Sequence, residues 1–360
     1  MCDSDMASAG HAVKRAFRTV PVTEAVGMAL AHDITEIRPG DFKGRAFRKG
    51  HIIRADDVCH LQRLGKEKVY VLSVSEDEMH EDEAARELAG ALAGPGVAPD
   101  GEPREGRINL VAEWDGLLTV NVESLLRFNM LGEVMCATLH DNTVVKKGAR
   151  IAGTRAIPLV LKRSLADRAI SVVRGGVMEV KRIRKPRAGA VITGNEIYDG
   201  KIQDAFAPII REKIERFGGK VVHTSYAPDD VEEIERGLRA CLEAGSDLLV
   251  TTGGMSVDPD DVTRFAIRKL GANDLVYGSA VLPGAMMLVG YLEREKEAAS
   301  VPVLGVPACA IYHKTTVFDL LLPRILAGER IGLPELARLG HGGLCLACEE
   351  CRYPVCPFGK

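Results

Sequence analysis

The sequence lacks a membrane-spanning segment, because none of its apolar runs approaches the roughly 20 residues that a transmembrane helix needs. Its N-terminal stretch, M-C-D-S-D-M-A-S-A-G-H, lacks the basic flank and the apolar core of a secretory signal. An excess of positive charge is also missing, since the formal net charge is −3 at pH 7. These absences predict a cytoplasmic protein that neither spans a membrane nor binds nucleic acid.

A local basic cluster, K-R-I-R-K-P-R at Lys181 to Arg187, contrasts with this net negative charge. A run of positive charges is usually a solvated surface, and it can also contact an anionic ligand. The sequence leaves both interpretations open.

The length of 360 residues predicts two or three domains, each large enough to bury a core, and 46% apolar residues are typical of a globular protein. We divide the chain into an N-terminal segment at 1–75, a mixed α/β region of unknown role at 76–185, an α/β domain at 186–330 and a cysteine-rich tail at 340–360. In the N-terminal region the pattern predicts a short helix at 22–32.

Apolar strands alternate with amphipathic helices from Arg187 onward. Strands are predicted at 188–194, 220–226, 247–252 and 301–307, and helices at 203–217, at 228–242, from Asp258 onward and from 307 to about 326. Such alternation predicts an α/β fold with a mostly parallel sheet and helices on both faces.

Small, hydroxyl and acidic residues follow three of these strands. They lie at 193–196, at Asp229 and Asp230, and at 251–261. In open α/β sheets ligands bind beyond the carboxyl ends of the strands, so these loops are expected to share one edge. Their mixture suits a phosphorylated ligand with a divalent cation, or a ligand rich in N–H donors such as a pterin.

Five ordered motifs, G-A-V-I-T-G-N-E-I, G-K-I-Q-D-A, A-P-D-D, T-T-G-G-M-S-V-D-P-D-D-V-T and L-P-G-A-M, resemble the molybdopterin-binding domain. Molybdopterin adenylyltransferases and molybdopterin molybdotransferases share that domain. Two upstream stretches, at 21–34 and 48–65, look like parts of the molybdotransferase. The long domain that normally lies between such parts is missing, and residues 76–180 match no catalytic module.

The resemblance implies roles for individual residues. Asp229 and Asp261 fall where the family has acidic residues near the pterin phosphate, with roles in cation binding or catalysis. The residues implied to bind the ligand are Thr193, Gly194, Glu196, Asp204, Thr252, Gly253, Gly254, Ser256, Pro283 and Gly284. The implied ligands are molybdopterin or its adenylated form and Mg²⁺, with molybdate and a molybdoenzyme as further partners and a homo-oligomer as the assembly.

Three departures from the family pattern bear on the activity. Asn195 replaces the acid of the usual T-G-D-E loop, L-P-G-A-M lacks the two lysines of K-P-G-K-P, and V-P-A-C-A-I at 306–311 replaces a P-G-N-P turn. Binding is therefore better supported than turnover. One hypothesis is a molybdenum-cofactor protein, a transferase that inserts molybdate or a protein that delivers the cofactor. A second is a non-catalytic chaperone or sensor that docks a partner through its tail. A third, a redox protein built around a cluster, explains the tail but not the five ordered motifs.

The tail carries Cys345, Cys348, Cys351 and Cys356 in the spacing C-x2-C-x2-C-x4-C-P. This is one residue longer than a bacterial ferredoxin run, and zinc sites usually have more widely separated pairs. The spacing predicts a metal site, either a 4Fe–4S cluster or zinc. A fifth cysteine, Cys309, is either a thiol activated at a helix N-terminus or a small buried apolar residue.

Overall fold

The computed structural model describes residues 17–38, 42–72, 75–255, 262–293 and 300–360. The chain divides into two compact units. Unit 1 comprises 1–113, 120–139 and 148–179, and unit 2 comprises 114–119, 140–147 and 180–360. The domain boundaries given above remain predictions.

Strands and helices are numbered separately, each in chain order. The strands are β1 (Phe17–Pro21), β2 (Ile34–Arg38), β3 (Phe42–Phe47), β4 (Lys68–Leu72), β5 (Glu78–His80), β6 (Val97–Pro99), β7 (Arg107–Ala112), β8 (Gly116–Val120), β9 (Val134–Thr138), β10 (Thr143–Val145), β11 (Arg150–Ala156), β12 (Val160–Lys162), β13 (Met178–Lys181), β14 (Arg187–Thr193), β15 (Lys220–Ala227), β16 (Leu248–Thr252), β17 (Asn273–Tyr277), β18 (Leu288–Leu292) and β19 (Val301–Val306). The helices are α1 (Ala55–Arg63), α2 (Glu81–Leu92), α3 (Val122–Asn129), α4 (Arg163–Val172), α5 (Asn195–Tyr198), α6 (Phe206–Glu215), α7 (Val231–Glu243), α8 (Thr263–Lys269), α9 (Cys309–Tyr312), α10 (Val317–Leu326) and α11 (Leu333–Arg338).

Unit 1 contains an antiparallel sheet in the order β6-β7-β11-β9, on which α2 packs. The prediction of a helix at 22–32 is wrong. Only Val22–Glu24 forms a short 3-10 turn, and Leu30 instead bridges Val71 of β4. This pairing buries Leu30 completely, so a contact with a distant strand overrides the local helical pattern.

Unit 2 is built on a sheet whose described strands run in the order β15-β14-β16-β19-β18-β17. The first four are parallel, β18 runs antiparallel to β19, and β17 runs antiparallel to β18 and therefore in the direction of the first four. The α/β fold is therefore confirmed, and the parallel arrangement holds for part of the sheet. The sequence interpretation missed β17 and β18.

Helices cover both faces of this sheet, as predicted. On β16, Leu248 and Val250 pack in one core cluster with residues of α6 and α10. Leu249, which points to the other face, packs with residues of α7 and α8. A strand buried on both faces explains the continuous apolar run in the sequence.

The single helix predicted from 307 to 326 is instead two helices, α9 and α10, separated at His313 to Thr316. The Thr316 Oγ1 accepts a hydrogen bond from the Phe318 N–H at 3.3 Å, and the Asp319 carboxylate accepts one from the Thr316 N–H at 2.8 Å. This reciprocal cap satisfies backbone donors that a continuous helix would use differently, so α10 begins anew.

Arginines of the basic cluster at Lys181 to Arg187 link the N-terminal ends of two parallel strands, an end of the sheet that we call its amino edge. Arg184 Nη1 lies 2.6 Å from Asp247 Oδ1, the same oxygen that accepts the Arg187 N–H at 2.9 Å. Arg187 Nε also donates to the Gly245 carbonyl at 3.0 Å. These two arginines join the segments before β14 and β16, which is a structural role for that part of the cluster.

None of the helices that the structure describes has the length and apolarity required to cross a lipid bilayer.

Candidate functional site

Threonines tie together the ends of β14 and β16. The Thr193 Oγ1 donates to the Thr252 carbonyl at 2.8 Å and lies 3.5 Å from the Thr263 Oγ1. Thr263, the first residue of α8, donates to the Gly253 carbonyl at 3.1 Å. These side chains are buried, so the predicted loops after two strands form one rigid edge.

The two glycines after β16 are required by the protein's own packing. Gly253 and Gly254 have φ of +84° and +55°, in the left-handed region. A Cβ on Gly253 would lie 2.6 Å from the Thr193 carbonyl oxygen, and one on Gly254 would overlap the Thr263 hydroxyl. The double glycine therefore lets the chain turn closely over Thr193 and Thr263.

The side-chain hydroxyl of Thr252 is a buried polar group without a partner. Thr252 is fully buried, and its Oγ1 makes no hydrogen bond within the described residues. Leaving a buried hydroxyl unpaired costs about 1–3 kcal/mol, so such groups often mark a place where a ligand or water binds.

Asn195 and Asp229 hold two neighbouring loops together by reciprocal hydrogen bonds. The Asp229 Oδ2 accepts from the Asn195 N–H at 3.1 Å, and the Asn195 Oδ1 accepts from the Asp229 N–H at 3.2 Å. The structure thus places the departure from the family pattern, Asn195, directly beside the predicted catalytic acid.

Asp204 caps a helix. Its Oδ1 accepts from the Phe206 N–H at 2.7 Å and from the Ala207 N–H at 3.2 Å, at the start of α6. The Tyr226 hydroxyl, at the end of β15, donates to its Oδ2 at 3.1 Å. Burial and this hydrogen bond to the carboxylate raise the pKa of Tyr226. The same carboxylate also lines an open cavity of about 630 Å³ together with Tyr198.

The remaining predicted ligand residues lie in different surroundings. Gly194 directly follows β14, and Glu196 is exposed on α5. Pro283 and Gly284 form a turn packed against the start of α10, where the Val317 N–H donates to the Pro283 carbonyl at 3.2 Å. Ser256 and Asp261 lie outside the described residues.

Cys309 is a partly buried free cysteine at the start of α9. Burial raises its pKa, with a smaller opposing effect of a backbone hydrogen bond. A raised pKa disfavours the thiolate that binds metals, which favours the interpretation of a small, partly buried residue.

The four tail cysteines all line one cavity of about 380 Å³. Within the described ranges, no set of three or more His, Cys, Asp and Glu side chains is arranged to hold a metal ion.

Sequence reasoning assigned no role to Thr263 or Tyr226, although both contact predicted residues. Thr263 ends the T-T-G-G-M-S-V-D-P-D-D-V-T motif, so a hydroxyl at that place was a visible signal. The sequence around Tyr226 contains no such signal, because its hydrogen bond to Asp204 depends on how separate segments of the chain pack together.

Comparisons with known proteins find matches to two parts of the chain. Residues 189–327 match the family model described as "Probable molybdopterin binding domain". The predicted resemblance is confirmed for this part of the chain. Residues 19–73 match a second model, a domain of unknown function (DUF8806).

A CinA-like protein of Mycobacterium avium is 35% identical over 95 residues, which are 26% of this chain and 22% of that protein. The match thus spans about a fifth of that relative's length. Among solved structures, the tungsten cofactor synthesizing protein MoaB from Pyrococcus furiosus is 19% identical, with a TM-score of 0.35 over 41% of this chain and 99% of that one. MoaB from Thermus thermophilus, titled a molybdopterin biosynthesis enzyme, is 22% identical, with a TM-score of 0.32 over 40% and 98% of the two chains.

Proposed function

We propose that the protein binds molybdopterin, or its adenylated form, at the carboxyl edge of β14, β15 and β16 and acts in molybdenum cofactor biosynthesis. The observation that carries this proposal is the fully buried, unpaired hydroxyl of Thr252 at the end of β16, on the predicted edge. The match of residues 189–327 to the family model supports the choice of ligand.

The chemistry of the edge fits a pterin with a phosphate. Carboxylates such as Asp229 accept the N–H groups of a pterin, while threonine hydroxyls suit phosphate oxygens. Mg²⁺ is usually held by one or two carboxylates together with substrate phosphates and water. Asp229 could therefore contribute to such a site only together with the ligand's own phosphates.

Delivery of the cofactor is favoured over turnover by the Asn195–Asp229 pair. At the position where the family has a second acid, this chain has an amide whose oxygen accepts the Asp229 N–H. The loop therefore loses a negative charge that could hold Mg²⁺. In the catalytic alternative, molybdate insertion, Asp229 and Asp261 hold Mg²⁺ against the phosphates. A molybdoenzyme partner, a homo-oligomer and a cytoplasmic location stay predictions.

The test is binding of purified molybdopterin to the full chain without oxygen, with Thr252→Val as the variant. We expect the loss of one hydroxyl to weaken binding about tenfold, equivalent to about 1.4 kcal/mol. Thr224→Val, a threonine in the middle of β15, is the matched control and should bind normally. Equal affinities of the wild type and the Thr252→Val variant would contradict the proposed site.

A second assay separates delivery from insertion. A delivery protein binds the pterin and shows no conversion that depends on molybdate or nucleotide. Conversion that requires Mg²⁺ and disappears in Asp229→Asn would establish the transferase instead.

A further inference from the structure

The cysteine tail is fixed to unit 2 at both of its ends. The Leu282 N–H donates to the Gly343 carbonyl, and the Leu282 carbonyl accepts from the Cys345 N–H, both at 2.8 Å. At the other end Phe358 is buried in the main core cluster of the α/β domain. Residues 345–357 therefore form a loop whose position is set by the fold.

This loop and the segment between α9 and α10 border the cavity of about 380 Å³ that all four tail cysteines line. The cavity brings together as many cysteines as a 4Fe–4S cluster needs, because such clusters are held by four cysteine thiolates. The C-x2-C-x2-C-x4-C-P spacing is one residue longer than that of a bacterial ferredoxin run, whereas zinc sites usually have more widely separated pairs.

The polar surroundings of the cavity also suit such a group. Lys314 and Arg352 line it, while Glu349 contributes a single opposing charge. A cluster with four thiolates is negatively charged, so cations stabilise it. Moreover, the N–H groups of residues 346–351 make no hydrogen bonds to other described residues. Free N–H groups near a cluster are donors to its sulfurs.

We propose that Cys345, Cys348, Cys351 and Cys356 bind a 4Fe–4S cluster in this cavity. The site requires no molybdopterin and is independent of the function proposed for the carboxyl edge.

The experiment uses the full chain, purified without oxygen and reconstituted with iron and sulfide. We expect about four iron and four acid-labile sulfide per chain, with a broad visible absorbance. The double variant Cys348→Ser/Cys351→Ser should lose iron, sulfide and absorbance. Both cysteines are exposed, so its circular dichroism and thermal unfolding should stay close to those of the wild type lacking the cluster.

Cys59→Ser is the matched control, because Cys59 is an exposed free cysteine of unit 1, outside the tail. It should retain the full cluster. One zinc per chain that depends on the same four cysteines would overturn the proposal, as would the absence of iron from folded wild-type protein. Pterin binding is measured on the same samples, so failure of this site leaves the function proposed for the carboxyl edge untouched.

Discussion

The carboxyl edge of the sheet and the cysteine tail are both parts of unit 2, and their side chains are organised in opposite ways. At the edge, Thr193, Thr252 and Thr263 are joined by the protein's own hydrogen bonds. In the tail, four cysteines border an open space, and the backbone between them makes few bonds. The edge is thus held together by the protein's own bonds, whereas the tail is where we propose that a cluster supplies the missing contacts.

The largest expected effect is a difference in alkylation rate between a buried thiol of the α/β domain and an exposed thiol of the tail. Burial raises the pKa of Cys241 to about 12, and its Sγ lies 3.8 Å from the Ala190 carbonyl. Only about one in 10⁴ of its thiols is ionised at pH 8, and the thiolate is the reactive form. In metal-free protein, iodoacetamide should therefore alkylate Cys348 at least about a hundredfold faster than Cys241.

Mass spectrometry of the peptides measures both rates. Raising the pH towards 12 should accelerate the alkylation of Cys241, because its thiolate fraction grows up to that pKa. Unfolding in urea removes the burial and is the control that should bring the two rates together. Equal rates in the folded protein would contradict the burial of Cys241.

The carboxyl edge should tolerate no side chain at its glycine turn. Gly253→Ala places a Cβ against Thr193 in left-handed backbone, so we expect the free energy of unfolding to fall by about 2–4 kcal/mol. Gly200→Ala is the control, since Gly200 has φ of +72° and open space around it. It should cost about 1 kcal/mol, the strain of the backbone alone. Urea denaturation followed by circular dichroism measures the free energy of unfolding of both variants. Similar losses would show that Thr193 moves aside at little cost in free energy.

Binding of a cluster in the tail cavity should protect the tail from proteolysis. Trypsin cleavage after Arg352, which is exposed, should slow about tenfold when iron and sulfide are bound, because the ligand holds the loop closed. Cleavage after Arg338 in α11 is the internal control and should not change. Gel analysis over time provides the rates, and an unchanged rate at Arg352 would show that bound metal leaves the loop as mobile as before.

The smallest effect comes from a single hydrogen bond of the edge. Thr193→Val keeps the side-chain shape and removes the bond to the Thr252 carbonyl, so stability should fall by about 1 kcal/mol. Thr35→Val, on an exposed position of β2, should change the urea midpoint little. If Thr35→Val lowered the stability as much as Thr193→Val, the loss would reflect strand propensity and not the hydrogen bond.

The sequence pattern predicted the parts of the fold that depend on local periodicity. Strands β14, β15, β16 and β19 have apolar runs bounded by polar loops, and they formed as expected. By contrast, β18 has an equally apolar run, Leu288–Leu292, but it pairs antiparallel with β19, a choice that no local signal specifies. The prediction of a helix at 22–32 failed for the same reason, because Leu30 pairs with Val71 of a distant strand.

The candidate site was predictable as a set of residues and less so as an arrangement. The motifs brought Thr193, Thr252 and Asp229 to one edge, since parallel strands share their carboxyl ends. They did not reveal that Asn195 binds the backbone of Asp229, or that Asp204 caps α6. Those contacts depend on loop conformation, which side-chain patterns determine only weakly.

The two arginines that fasten the amino edge of the sheet have a consequence for how the domain opens. Arg184 and Arg187 join the segments before β14 and β16 through Asp247, at the end of the sheet opposite the ligand loops. We therefore expect backbone amides near this end to exchange with deuterium only when the whole sheet opens. Amides towards the carboxyl edge should exchange through smaller fluctuations, so we expect the sheet to open first at the end where the proposed ligand site lies.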